Sequence, residues 1–154
     1  MKSIAIMAVF VALLISGCAT VPMATKTESD AAKAFLPPEP GMAGLYIYRN
    51  SVVGQALKKD VFIDGKCLGE TASGVYFYTT VEGDKTHVIA TESEFSANSL
   101  EMLFEAGKNY FIRQYIKLGL FVGGAGLELI PEERGKKDVA PLGMAFQGQC
   151  SGPQ

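Results

Sequence analysis

Apolar and polar residues alternate along short stretches of the chain from Gly44 onwards, and these stretches are rich in aliphatic and aromatic side chains. Such alternation is typical of β-strands, whose side chains point to opposite faces in turn. The pattern predicts strands over residues 45–49, 59–63, 66–70, 75–81, 86–92, 98–105, 110–116 and 127–130. Turn-forming pairs such as Asp64-Gly65 separate most of them. We therefore predict an all-β domain over residues 44–131, an antiparallel β-sandwich or small barrel, of which we favour the sandwich.

The amino-terminal residues have a different pattern. Lys2 is followed by a run of small and apolar side chains from Ile4 to Ile15. Its length fits the roughly 7–15 residues of the apolar core of a secretory signal peptide. It falls short of the roughly 20 residues that a membrane-spanning helix needs. We predict a helical signal peptide over residues 1–17.

The four residues Ile15-Ser16-Gly17-Cys18 resemble the lipobox of bacterial lipoprotein precursors. The resemblance implies that the Cys18 thiol receives a diacylglycerol, that cleavage occurs just before it, and that the new amine is acylated. Ala19 follows the cysteine, whereas an Asp there favours the inner membrane in such lipoproteins. The implied location is the outer membrane of a Gram-negative bacterium, lipid-anchored on the periplasmic face. The alternatives are a signal peptide cleaved elsewhere and a free buried thiol.

Residues 18–43 and 132–154 lack the strand pattern. The first segment is rich in Thr, Ala and charged residues and ends in prolines, with one short helical turn predicted to start at Ser29-Asp30. We expect it to be a flexible tether between the lipidated cysteine and the sandwich. Pro131 predicts the start of a short helix, and residues 140–154 are expected to form a loose tail.

Two cysteines besides Cys18 remain in the mature chain, Cys67 and Cys150. The periplasm is oxidising, so the pair could form a disulfide that ties the tail to the domain. Proximity cannot be read from the sequence, and two unpaired thiols are the alternative.

Composition and charge exclude several classes of function. The formal net charge is -2 and no basic run is present, so a nucleic-acid partner is not expected. His87 is the only histidine, which excludes a zinc site built on several histidines, and we expect neither a metal nor a cofactor. As a general base, His87 would need a nucleophile and an orienting acid, and neither is evident. We predict a half-exposed strand histidine in a protein that is not an enzyme.

A glycine-rich apolar stretch is the first candidate surface for binding a partner. It contains Leu118, Leu120, Phe121 and Val122. These side chains would be costly to expose. They form either a flexible apolar hairpin or a tip that touches a membrane or another protein.

The tyrosines are the second candidate surface. Tyr46 and Tyr48 share one face of a strand, and Tyr76 and Tyr78 share a face of another. Phe62, Phe77 and Phe111 are expected in the core. The tyrosines could pack across neighbouring strands, or they could form an aromatic strip that binds a protein or a glycan.

Four stretches between Gly44 and about Ile130 carry a family resemblance: 45–49, 61–66, the Gly83 turn before 86–88, and 107–113. They resemble a family of bacterial envelope proteins known as DUF2846, a domain of unknown function. The same pattern is similar to PEGA-type surface domains, which are immunoglobulin-like or transthyretin-like sandwiches. The resemblance implies a β-sandwich and adds no catalytic residue.

These features predict a lipid-anchored, non-enzymatic envelope protein that binds another envelope component. Exposed sheet edges and the apolar hairpin are the expected contact surfaces, because an unpaired edge can accept a strand from a partner. The alternative is a protein that binds a small apolar ligand or lipid in a cavity between the sheets, with the apolar hairpin as its lid. In both cases the protein reaches the membrane through Cys18.

Overall fold

A computed structural model describes residues 18–92, 98–117 and 124–152 of the 154-residue chain. In this part of the chain there are two helices, α1 (Lys26–Ala32) and α2 (Glu132–Val139), and nine strands. The strands are β1 (Met42–Arg49), β2 (Lys59–Ile63), β3 (Lys66–Thr71), β4 (Val75–Glu82), β5 (Lys85–Thr91), β6 (Asn98–Phe104), β7 (Asn109–Lys117), β8 (Gly124–Ile130) and β9 (Gly143–Met144).

The strands form two sheets that pack face to face. One sheet has five strands in the order β8-β7-β1-β4-β9, and the other has four in the order β3-β2-β5-β6. Apolar side chains from both sheets meet in one core cluster, whose largest fully buried members are Leu45, Ile47, Phe77, Ile89, Phe104 and Ile112. The prediction of an all-β, sandwich-like fold is confirmed.

The larger sheet is mixed, which corrects the expectation of a purely antiparallel sandwich. β1 pairs with β7 in parallel, with Gly44 opposite Asn109. β4 pairs in parallel with the short β9. A parallel pair needs a long crossover connection. The chain supplies one by passing through the second sheet (β2, β3, β5 and β6) between β1 and β7.

β8 begins at Gly124, three residues earlier than predicted. Gly126 lies opposite Tyr115 of β7. A Cβ atom on Gly126 would come within 2.5 Å of Tyr115 Cζ, so the tyrosine ring occupies the space that a side chain would need. Gly126, which weakens the strand signal in the sequence, therefore belongs to the strand, because it admits a large cross-strand neighbour.

The segment 18–43, expected to be a flexible tether, is folded onto the sandwich. Helix α1 begins after Thr25, earlier than the predicted start at Ser29-Asp30. The Thr25 hydroxyl accepts a hydrogen bond from the Glu28 backbone N–H, and the Glu28 carboxylate accepts one from the Thr25 N–H. This reciprocal capping box fixes the helix start. Val21 and Ser29 are buried, so the segment packs on the domain.

Residues 140–152 are likewise packed on the domain, where a loose tail was expected. β9 pairs with β4 and forms the edge of the larger sheet, and Ala145 forms a bridge with Met23. The buried Asp60 carboxylate accepts hydrogen bonds from the Ser151 N–H at 3.0 Å and the Gly152 N–H at 3.3 Å. These bonds satisfy a carboxylate that would otherwise be costly to bury.

A disulfide joins Cys67 of β3 to Cys150, with a Cα–Cα distance of 6.1 Å. The two residues are 83 positions apart in the chain. Gly148 also donates a backbone hydrogen bond to Leu68 O at 2.8 Å. The carboxyl-terminal segment therefore lies along β3, at the edge of the smaller sheet.

We predict that replacing both cysteines (Cys67→Ala with Cys150→Ala) lowers the free energy of unfolding by roughly 2–4 kcal/mol, because the disulfide closes a long loop in the unfolded chain. Urea denaturation measures the change. As a control, a reductant should destabilise the wild-type protein and leave the double variant unchanged. Equal stability of the two proteins without reductant would contradict the prediction.

Candidate binding site

Cys18 is exposed and is not disulfide-bonded. The next residue is already attached to the domain, since the Ala19 N–H donates a hydrogen bond to Gln55 O at 3.0 Å. Gln55 lies in the loop between β1 and β2. The site proposed for acylation is therefore one residue from a hydrogen bond to the domain. Separately, none of the helices in residues 18–92, 98–117 and 124–152 has the length and apolar character of a membrane span.

The tyrosines of the large sheet are buried and pack across neighbouring strands, so Tyr46 and Tyr48 do not form the alternative, an aromatic strip open to a partner. Tyr46 is 1% exposed, and Tyr48 and Tyr76 are 0% exposed. Together with Phe111 and Val139 they form a second core cluster on the outer face of the sheet. The two helices and their flanking segments cover this face.

The tyrosine hydroxyls hold the two helices against the sheet. Tyr46 Oη donates to Ala32 O at 2.8 Å, and Tyr76 Oη donates to Ser29 O at 2.8 Å, so both bind α1. Tyr48 Oη donates to Asp138 Oδ2 of α2 at 2.8 Å. Each buried hydroxyl thus finds an acceptor outside the sheet, as buried polar groups require.

Burial also changes the acidity of these groups. Desolvation raises the pKa of Tyr46, with a smaller contribution from the neighbouring Tyr78. Desolvation and the hydrogen bond to Asp138 raise the pKa of Tyr48. Burial opposes ionisation of Asp138, but hydrogen bonds from Arg134 and Tyr48 outweigh it and lower the pKa of Asp138. The tyrosines are therefore neutral donors that fix the helices, and they do not act as bases at neutral pH.

An open apolar groove runs beside α1, above the tyrosine cluster. It encloses about 400 Å³. Its walls come from α1, the segment after it, the large sheet and β9: Glu28, Ala31, Ala32, Leu36, Pro37, Tyr46, Tyr78 and Met144. We call this surface the α1 groove. A smaller pocket of about 190 Å³ shares Glu28 and Met144 with it and reaches Phe146.

Two large apolar side chains are exposed, one at the α1 groove and one at the smaller pocket beside it. Leu36 is 68% exposed and Phe146 is 59% exposed. The Glu28 carboxylate at the rim already accepts bonds from the Thr25 N–H and hydroxyl, at 2.9 and 2.6 Å. The groove therefore offers apolar surface with few free polar groups, which suits an apolar side chain or acyl chain.

His87 is buried, not half-exposed as predicted, and both of its ring nitrogens are occupied. Nδ1 lies 2.6 Å from Asp64 Oδ2, and Nε2 lies 2.9 Å from Glu82 O. The hydrogen bond from His87 lowers the pKa of Asp64. These contacts tie the turn after β2 to the end of β4, so the histidine has a structural role. Among the described residues, no group of three or more His, Cys, Asp and Glu side chains is placed to hold a metal ion.

The structure separates the residues that the sequence singled out. Cys18 lies at the start of the docked amino-terminal segment, and Cys67 and Cys150 lie at the edge of the smaller sheet. The predicted apolar tip, with Leu118, Leu120, Phe121 and Val122, lies outside the described residues. Sequence reasoning missed the α1 groove, although Leu36 and Phe146 gave a signal as large apolar residues in segments expected to be loose and polar.

The fold and this groove define a class of protein: a two-sheet β-sandwich whose outer face is covered by the segments before and after it. The chain belongs to the family described as "Protein of unknown function (DUF2846)", whose model matches residues 39–125. This range contains β1 to β7 and the beginning of β8, whereas both helices lie outside it.

A protein of Haemophilus influenzae, described as an uncharacterized protein, is 58% identical to this chain over 135 residues. The aligned region covers 88% of this chain and 80% of that protein. It is longer than the family match, so the likeness includes residues outside 39–125. No solved structure matches the chain.

We predict that Tyr76→Phe weakens the attachment of α1 by about 1 kcal/mol, because Ser29 loses its buried hydrogen-bond partner. Hydrogen exchange of the amides in residues 26–35 measures the change and should become faster, while exchange in β5 stays the same. Tyr115→Phe is the matched control, since Tyr115 lies on β7 opposite Gly126 and faces β8. Unchanged exchange in Tyr76→Phe would mean that the hydroxyl does not hold the helix.

Proposed function

We propose that this protein is a lipid-anchored envelope protein, attached to the outer membrane through Cys18 on its periplasmic face. In this proposal it has no catalytic activity of its own and binds another envelope protein through the α1 groove. The observation that carries the binding role is the exposure of two large apolar side chains, Leu36 at the α1 groove and Phe146 at the smaller pocket beside it.

The anchor is supported by the sequence before Cys18 and by the exposure of this cysteine. A diacylated or triacylated cysteine binds a bilayer far more firmly than one acyl chain does. The disulfide between Cys67 and Cys150 supports an oxidising compartment outside the cytoplasm. Both features agree with a periplasmic location.

Binding is supported by the shape and chemistry of the α1 groove. Exposed apolar surface beside a groove marks sites of interaction with other molecules. The α1 groove, lined by Leu36 and Pro37, adjoins the smaller pocket lined by Phe146 through the shared Glu28 and Met144, so the two form one continuous surface. Such a surface suits the apolar face of a partner segment better than a compact ligand.

A second candidate is a protein that binds a small apolar ligand or lipid. The volume of the groove, about 400 Å³, favours it, since it falls within the roughly 300–1,000 Å³ of ligand sites. The inter-sheet cavity expected for such a ligand is occupied, in the described part of the sandwich, by core side chains such as Phe77 and Ile112. The α1 groove takes its place in this alternative.

We expect Cys18→Ser to abolish acylation and to leave the precursor uncleaved, because processing depends on the lipidated thiol. Intact-mass measurement and labelling with an alkyne-tagged fatty acid test this. Cys150→Ser serves as the control and should still be acylated. A Cys18→Ser protein that is processed and labelled as before would rule out the anchor.

We expect that cross-linking of the anchored protein in cells captures a dominant partner, and that Leu36→Ser with Phe146→Ser removes it by deleting the apolar contacts. Leu103→Ser is the matched control, since Leu103 is 54% exposed on β6 and does not line the groove. Native mass spectrometry of the purified protein tests the alternative. A bound lipid or metabolite that the double variant lacks, without a captured protein, would favour the ligand-binding function.

A further inference from the structure

The loop between β1 and β2, residues 50–58, exposes two adjacent apolar side chains. Val52 is 75% exposed and Val53 is 41% exposed. An isolated exposed valine is common on protein surfaces, but two neighbours at the tip of an ordered loop form a small apolar patch. We call this segment the 50–58 loop.

The 50–58 loop has a defined backbone conformation. The Gln55 N–H donates to Val52 O at 3.1 Å, and the Leu57 N–H donates to Gly54 O at 2.8 Å. Gly54 has a φ of +68°, and a Cβ atom there would lie 2.9 Å from Ile116 Cγ1. Glycine is thus required both by the turn and by the close approach of β7.

A buried arginine at the end of β1 binds the backbone of the 50–58 loop. Arg49 at the end of β1 is 0% exposed. Its guanidinium donates to Leu57 O at 2.7 Å and also to Gly54 O. A buried cation bonded to two loop carbonyls fixes them firmly, because releasing them would leave the charge unpartnered. The loop that these bonds hold in place presents Val52 and Val53 to solvent.

The proposed anchor lies beside this patch. Ala19 donates its hydrogen bond to Gln55 of the same loop, and Cys18 is the adjacent residue. Consecutive Cα atoms are about 3.8 Å apart, so acyl chains on Cys18 leave the protein within a few residues' reach of Val52. The packing of Val21 and the bridge between Met23 and Ala145 prevent the segment from extending as a spacer.

We propose that the 50–58 loop rests on the phospholipid bilayer, with Val52 and Val53 inserted among the headgroups beside the acylated Cys18. This inference rests on the proposed anchor and adds an orientation to it. In this orientation the end of the sandwich that contains Arg49 faces the membrane. Cys18 and the loop form one contact surface, and the domain is not carried at a distance on a tether.

The opposite end of the sandwich supplies the control position. β2 follows the loop directly, and its Val61 pairs with Thr91 of β5. Leu103 pairs with Thr86, at the other end of β5. Thr86 and Thr91 are five positions apart in β5, about 17 Å at the usual rise of a β-strand. Leu103 is apolar and 54% exposed, so it resembles the valines in chemistry but lies at the end of β5 far from the proposed membrane.

The chain contains no tryptophan. A single substitution by Trp therefore introduces one indole fluorophore, whose quenching reports how deeply that position lies in the bilayer. The test uses the full acylated protein carrying Val52→Trp or Leu103→Trp, reconstituted into phosphatidylcholine vesicles with brominated acyl chains. We expect about twofold or stronger quenching at position 52 relative to position 103, with a blue shift on reconstitution, since interfacial apolar groups lie roughly 5–10 Å into the headgroup boundary.

Two further measurements separate the inference from the anchor on which it rests. Intact mass shows whether the protein is acylated, and flotation shows whether it is bound to the vesicles. Acylated, vesicle-bound protein with equal quenching at both positions would overturn the orientation and leave the anchor standing. Protein that is neither acylated nor bound would overturn both. Val53→Trp repeats the test, and urea denaturation of each variant confirms that the fold is retained.

Discussion

The burial of β1 on both faces is the constraint on which the rest of this structure depends. Leu45 and Ile47 point into the core between the sheets, while Tyr46 and Tyr48 point to the outer face, and all four are almost completely buried. A buried tyrosine hydroxyl needs a hydrogen-bond acceptor. The neighbouring strands already use their backbone groups within the sheet, so the acceptors come from α1 and α2. The chain segments outside the sandwich therefore contribute to its stability.

Period-two alternation was sufficient to predict most of the strands and the two-sheet architecture. It failed at β8, where Gly126 makes room for Tyr115, because the alternation rule scores a glycine as a break. It also did not reveal the parallel pairing of β1 and β7, since alternation carries no information about strand direction. Local pattern thus specifies the elements, while long-range packing specifies how they pair.

The candidate site was harder to predict because tyrosine is ambiguous in a sequence. Tyr46 has a ring that favours burial and a hydroxyl that favours water, and only the acceptor at Ala32 O decides between them. Leu36 and Phe146 lie in segments with no regular period, so their proximity to one groove could not be read from spacing. The contact between Ala19 and Gln55 is likewise a tertiary feature that no local sequence motif predicts.

The capping of the tyrosine face by α1 and α2 means that the family match and the folding unit have different limits. The matched range 39–125 omits both helices, β9 and Cys150. A fragment cut at those limits would leave Tyr46 and Tyr76 without their acceptors and Cys67 without its partner. The folded unit therefore extends beyond the family match on both sides, from the residue after Cys18 to at least Ser151.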